Sequence, residues 1–186
     1  MNRHIGVTVI LRGRSLYSLR GIDLTLVRFA TVDEFEKLLN CYLKIFESLH
    51  EFLPDSFVDP ELESVRTSEG MERFKQGIES KDGIFLVAEE NNEIAGLASG
   101  RAYAGLCNLG FLGVRREYRR KKVGASLLSK FIEEARNRKA HKIWLYTSPS
   151  LLPAIRLYVG SGFVPEGFLR KHTYGVDLII YSKFLE

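Results

Sequence analysis

The densest chemistry in this sequence is cationic and local. Arg115-Arg116-Glu117-Tyr118-Arg119-Arg120-Lys121-Lys122 places six basic residues in eight positions and runs straight into Val123-Gly124-Ala125. Where such a run opens a helix, the first turn leaves about four backbone N–H groups without intrahelical partners, and the aligned peptide dipoles leave roughly half a positive charge there. Gly124 and Ala125 carry little or no side chain, so a phosphate oxygen can come close to those amides while the flanking cations attract it from further away. The chemistry to expect is recognition of a compact anion, a pyrophosphate above all. A solvated loop or a nucleic-acid contact would use the same charges, but Tyr118 is the lone aromatic in the run and offers bases little to stack on. Other reactive types do not assemble. Cys41 and Cys107 are the only cysteines, and His4, His50, His141 and His172 have no metal-ligand spacing, so neither a disulfide framework nor a metal site is expected.

The elements around this loop follow from periodicity. Leu109 to Val114 reads as a strand entering the loop, and Val123, Leu127, Leu128, Phe131, Ile132 and Ala135 form the apolar stripe of a helix leaving it near Arg138. Lys142 to Thr147 is again a strand, so the unit is a strand, helix, strand crossover that favours parallel pairing. A short helix over Pro153 to Val159 is stopped by Gly160 and Gly162, and Phe168 to Tyr174 and Val176 to Phe184 read as two closing strands. Upstream, Asp23 to Phe29 alternates as a half-buried strand, and Thr31 with Glu34 signs the start of a helix carrying Phe35, Leu38, Leu39, Tyr42, Ile45, Phe46 and Leu49. Pro54 and Pro60 are expected to open an irregular stretch, followed by a shorter helix around Met71, Phe74 and Ile78. Ile84–Ala88 and Ile94–Gly100 read as a hairpin joined through Glu89 to Glu93. The organisation expected is an N-terminal arm or extra strand over residues 1–22 and one α/β domain over residues 23–186.

The run Arg119-x-x-Lys122-x-Gly124 resembles the pyrophosphate loop of the GNAT family of N-acetyltransferases, Arg/Gln-x-x-Gly-x-Gly/Ala, with Lys122 in place of the first glycine. A second segment, Ala154-Ile155-Arg156-Leu157-Tyr158-Val159-Gly160-Ser161-Gly162-Phe163, is similar to that family's A-x-x-L-Y-x-x-x-G-F helix and turn. The resemblance covers residues 24–184 and is strongest over residues 112–163. It implies a mixed, mostly antiparallel sheet that splays between its fourth and fifth strands and is flanked by helices. It implies acetyl-CoA as cosubstrate, held by Leu112, Gly113 and Val114 at the end of the fourth strand and by Arg119, Arg120, Lys121, Lys122, Val123, Gly124 and Ala125 in the loop. It also implies that Tyr158 contacts the CoA sulfur and protonates the departing thiolate. Lys122 reaches positive φ less readily than glycine, and Ser150-Leu151 stand where the family often has an asparagine.

Acetyl transfer to an amine needs the amine deprotonated, its approach aligned, the oxyanion stabilised and the thiolate protonated. A bulged fourth strand would offer the N–H of Gly113 or Val114 to the oxyanion. Cys107 to Val114 and Lys142 to Thr147 hold no Asp or Glu, so a base would come from His50, Glu51, Asp55, His172 or Asp177, or from ordered water acting on an amine whose pKa burial has lowered. Tyr103, Tyr174 and Tyr181 are candidates to line an acceptor pocket or to pack, and Trp144 reads as a core residue. The acceptor expected is a primary amine on a small molecule, a peptide N-terminus or a lysine, attacked directly in a ternary complex without a covalent enzyme intermediate. The alternative is a non-catalytic CoA-binding or sensing module; a nucleic-acid binder is a weaker one.

Composition agrees with a single domain. The chain has 186 residues, 45% hydrophobic and 27% charged, and a net charge of +4 that is unevenly spread. Between Thr31 and Asp82 there are thirteen Asp or Glu against six Lys or Arg, a balance that would suit a cationic acceptor. No stretch is apolar for long enough to span a membrane or to act as a secretory signal, so a cytoplasmic protein without membrane contact is expected, with room left for a homodimer.

Overall fold

The computed structural model describes residues 25–185. The arm expected over residues 1–22, and residues 23 and 24, lie outside the described residues. Seven strands form one sheet: β1 Leu26–Phe29, β2 Gly83–Glu90, β3 Glu93–Tyr103, β4 Leu106–Val114, β5 Lys142–Thr147, β6 Val164–Leu169 and β7 Leu178–Phe184, in the order β1-β2-β3-β4-β5-β7-β6. Every neighbouring pair is antiparallel except β4 with β5, which is parallel as the crossover required. Five helices flank the sheet: α1 Phe35–Glu47, α2 Asp55–Arg66, α3 Ser68–Glu79, α4 Val123–Asn137 and α5 Leu152–Gly160.

The sheet separates two layers. Ile84, Leu86 and Ala88 of β2 face α4 and α5, whereas Phe85 and Val87 face α1, the period of two that a strand covered on both faces must show. On the α4 side Leu127, Phe131, Ala135 and Ile143 are fully buried. Helix α4 lies close to β3 because Gly100 has no side chain: a Cβ there would come within 2.6 Å of Phe131 Cζ. On the other side Leu38 and Ile45 of α1 cover β2 and β3, and Phe46 stacks on Phe111 of β4 with centroids 5.7 Å apart. Thr31 and Glu34 form the expected capping box, entered through a 3-10 turn at Val32–Glu34.

Three local expectations are corrected. The stretch between Pro54 and Met71 is helical: Pro54 caps α2 and Pro60 lies inside it. Pro60 forgoes one backbone bond, but the helix buries Val58 and Leu62 against Phe46 and Leu53, and that burial decides the outcome. The hairpin strands extend to Glu90 and from Glu93, and its turn is only Asn91-Asn92, with φ of 52° and 65°, a pair of left-handed residues suited to a two-residue turn. The sixth strand lies earlier than Phe168 to Tyr174; it starts at Val164 and ends at Leu169. It forms the sheet edge, where Pro165 is tolerated because an edge residue can lack a donor, and Thr173–Gly175 is a 3-10 turn.

The feature that shapes the site is the short contact of β4 with β5. They pair only over Leu106–Asn108 and Lys142–Trp144. Gly110 is an extra residue between Leu109, which pairs with Gly100, and Phe111, which pairs with Ser99. Such a bulge bends a strand, and from there β4 stays with β3 while β5 stays with β7.

Candidate active site

The gap between the two strands is the mouth of a cleft of about 610 Å³. Leu112, Gly113, Val114, Arg119, Arg120, Lys122, Val123, Gly124, Ala125 and Tyr158 all line it. Lys121 does not; its Nζ sits 5.2 Å from the centre of the Tyr118 ring. Two motifs more than thirty positions apart in the chain are thus brought to one cavity by a sheet that opens and two helices on its same face.

The loop has the backbone of an anion site. The first helical bond of α4 runs from Ser126 N–H to Lys122 O at 3.0 Å, so the amides of Val123, Gly124 and Ala125 have no partner within the helix. Lys122 takes φ 67° and ψ 3°, the left-handed conformation for which the resembling motif carries glycine, and Arg120 has φ 65°. The cost for a residue with a side chain is about 1 kcal/mol, and the fold imposes it. A Cβ on Gly124 would meet Leu157 and Val114 at 3.4 and 3.5 Å, so its absence leaves the helix end open toward the cleft.

The arginines of the run are mostly engaged. Arg115 pairs with Glu93 at 3.1 Å and with Glu117 at 2.5 Å, and Arg116 pairs with Glu51 at 3.2 Å. Arg119 donates from Nε to Val114 O at 3.3 Å and contacts Glu51 at 3.5 Å and the Ser48 hydroxyl. Its guanidinium is therefore a strut between the end of β4 and the turn after α1. Among the described residues Arg120 and Lys122 make no ion pair, which leaves them as the cations free to meet an anion in the cleft.

Strand register decides which amides of β4 face the gap. Arg115 N–H donates to Ala95 O at 2.9 Å, and in an antiparallel ladder alternate residues turn the same way. Gly113 therefore points its amide to β3, whereas Leu112 and Val114 point theirs to the gap. Arg119 Nε on Val114 O agrees with this sense. Of the two expected oxyanion donors, Val114 thus faces the gap and Gly113 makes room for packing: a Cβ there would collide with Ile45 Cγ2.

Tyr158 lies on α5 and is 6% exposed. Its ring rests against Phe163 with centroids 5.9 Å apart, and Phe163 N–H bonds back to Tyr158 O at 3.0 Å across the turn at Gly162, whose φ is 83°. Burial raises the phenol above its ordinary pKa because the low-dielectric surroundings disfavour the phenolate.

None of the candidate bases lines the cleft. His50 lies between Asp55 and Asp59 at 2.9 and 3.3 Å, Glu51 is held by two arginines, His172 bonds Thr173, and Asp177 accepts from Lys171 N–H. The acidic stretch expected to flank a cationic acceptor contributes no lining carboxylate among the described residues. Tyr174 meets Phe57 edge-on at 5.9 Å, Tyr181 is in the core, and Tyr103 accepts from Nε1 of the half-buried Trp144 at 3.1 Å. Cys41 and Cys107 are buried and unpaired, with burial pushing their thiols up to about 12 and about 11. Among the lining residues that sequence reasoning overlooked are Phe46, Leu49, Phe52, Leu53 and Phe57, which wall the cleft beside the gap; for the first four the signal is that apolar residues continue past the end of α1 to Pro54.

Three comparisons bear on this geometry. The model of the acetyltransferase (GNAT) family matches residues 44–163. The spore coat polysaccharide biosynthesis protein SpsD of Bacillus subtilis (strain 168) is 26% identical over 127 aligned positions; the match covers 64% of this chain and 44% of that protein, less than half of that relative. Among solved structures, the PaiA N-acetyltransferase of Thermoplasma acidophilum in complex with coenzyme A superposes with a TM-score of 0.73 at 16% identity, over 87% of this chain and 99% of that one. The ribosomal-protein-alanine N-acetyltransferase of Brucella melitensis gives 0.69 at 25% identity, over 86% of this chain and 99% of its own.

Proposed function

This chain belongs to the acetyltransferase (GNAT) family, and from that premise we propose that it moves the acetyl group of acetyl-CoA to a primary amine by direct attack in a ternary complex. The observation that carries the reading is the meeting, in one cleft, of the unpartnered amides that open α4 with the side chain of Tyr158. The residues fit coenzyme A. Val123, Gly124 and Ala125 offer N–H groups at a positive helix end, Arg120 and Lys122 add charge, and Leu112 and Val114 offer strand edges to the amide-bearing arm.

The chemistry follows from these groups. The amine nitrogen adds to the thioester carbon, and the carbonyl oxygen gains charge that the N–H of Val114 or Leu112 accommodates. As the intermediate collapses the carbon–sulfur bond breaks, and Tyr158 donates a hydrogen bond to the thiolate. Its raised pKa keeps the O–H intact through neutral pH. The amine proton leaves through water, since burial lowers the pKa of an amine held among apolar side chains. Neither cysteine lines the cleft, which supports direct transfer over an acyl-enzyme.

A non-catalytic CoA-binding module has one observation on its side, the lack of a lining carboxylate. Thiol release from acetyl-CoA over a panel of amines separates the two. Turnover that falls on Tyr158→Phe is expected; binding of CoA with no turnover of any amine would refute the enzyme.

A further inference from the structure

The lining of the cleft is of two kinds. One is Arg120, Lys122 and the helix-opening amides. The other is the walls formed by Phe46, Leu49, Phe52, Leu53, Phe57 and Leu178, which belong to α1, the turn after it, the start of α2 and the start of β7. Phe46, Leu49, Phe52, Leu53 and Phe57 pack in one cluster with α2 and with Leu151 at the start of α5, whereas Tyr158 belongs to the cluster beneath α4. Each of the six is hydrocarbon or aromatic, and among the described residues no Asp or Glu lines any part of the cleft. The acids of the turn after α1 and the start of α2 are engaged: Glu51 by Arg116 and Arg119, Asp55 and Asp59 by His50.

We infer that the acceptor is a monoamine whose nitrogen carries an apolar alkyl or phenylalkyl group, and that this group is seated among these six side chains. The inference rests on the acetyl transfer proposed above and names the substrate class of that same site. Burying hydrocarbon against these walls is favourable, whereas burying a second ammonium there would strip its water with no carboxylate to replace it, in a cleft that already holds cations. A row of hydroxyls, as on an amino sugar, would meet no side-chain hydrogen-bond partner among the six. The same walls also assist the reaction. They desolvate the one reacting nitrogen and so favour its neutral, nucleophilic form, which is the task for which the cleft has no base.

The test is thiol release with the full chain at saturating acetyl-CoA, alongside calorimetry of CoA binding. Along ethylamine, propylamine and butylamine, kcat/KM should rise about fourfold per buried methylene. Phenethylamine should rank with or above butylamine, and 1,4-diaminobutane, which keeps butylamine's length but ends in an ammonium, should fall at least tenfold below it. Phe57→Ala and, separately, Leu49→Ala should raise KM for butylamine and phenethylamine about tenfold and by more than they raise it for ethylamine, with CoA binding retained in calorimetry. CoA binding together with turnover of 1,4-diaminobutane or glucosamine at or above butylamine would overturn the inference and leave the acetyltransferase reading intact. A gain along acetyl-, butanoyl- and hexanoyl-CoA with no gain along the amines would assign the walls to the donor and overturn it equally. Absence of turnover with every amine removes both.

Discussion

Tyr158→Phe is the perturbation that most directly probes the proposed chemistry, because it removes one oxygen and keeps the ring. The ring's contact with Phe163 and the bond from Phe163 N–H to Tyr158 O are untouched by the change. Among the described residues no protein group is bonded to the hydroxyl, so stability should stay within about 0.5 kcal/mol of the parent in a urea melt. The kinetic effect follows from the state of the phenol. Burial holds it above the ordinary tyrosine value of about 10, while a thiol lies near 8.5. The O–H is therefore intact through neutral pH, and since a thiolate in the same cleft is desolvated as well, the hydroxyl acts as a hydrogen-bond donor to a developing anion. A hydrogen bond to a charged group contributes roughly 1.5–3 kcal/mol, or about 10- to 150-fold in rate. Single-turnover thiol release should fall by that factor with CoA affinity unchanged, and the wild-type pH profile should show no limb from Tyr158 below about pH 10. A rate within twofold of the parent, with CoA still bound, would refute the assignment.

Other substitutions read out other parts of the architecture. Gly124→Ala should stabilise the fold by about 0.5–1 kcal/mol, since its Cβ finds ordinary contact distances, yet weaken CoA binding in calorimetry by filling the approach to the α4 amides; unchanged affinity would move the anion elsewhere. Gly113→Ala should destabilise by about 1–3 kcal/mol in chemical denaturation through its collision with Ile45, and no loss would contradict the packing of α1 on β4. Glu34 is held down to about 2, against an ordinary 4.5, by its hydrogen bonds from Arg28. Its folded form binds the proton more weakly, so the stabilisation is complete above about pH 4.5 and is lost as pH falls toward 2. Arg28→Ala should lower thermal stability at pH 7 by about 1 kcal/mol and flatten the acid limb; an unchanged limb would show that the pair does not set it.

Much of this molecule could be read before its coordinates, and the reason is locality. Helix α4 carries its whole apolar stripe within thirteen residues, β5 is bounded as its alternation predicts, and Gly162 stops α5 where a left-handed residue is needed. Helix α2 escaped because Pro60 is a strong local breaker and the burial of Val58 and Leu62 that outweighs it depends on α1. The cleft lining was legible where it lies on the two motifs. Its apolar walls come from elements scattered from Phe46 to Leu178, and the partners that engage Arg119, Ser48 and Glu51, stand about seventy positions away. Lys122 marks the converse case: its side chain argued against the left-handed conformation, and the turn into α4 imposes it regardless.

The brief pairing of β4 with β5 has a consequence beyond catalysis. A sheet interrupted in mid-span has an internal border as well as two outer ones, and along it the amides of Leu112 and Val114 and the carbonyl of Leu112 are available to any extended chain that reaches them. A cosubstrate with amide groups, lying along that border, would close it. Saturation with coenzyme A should then slow self-association on warming as well as raise the melting temperature by mass action, so that the colloidal behaviour of the protein tracks the occupancy of its own active site.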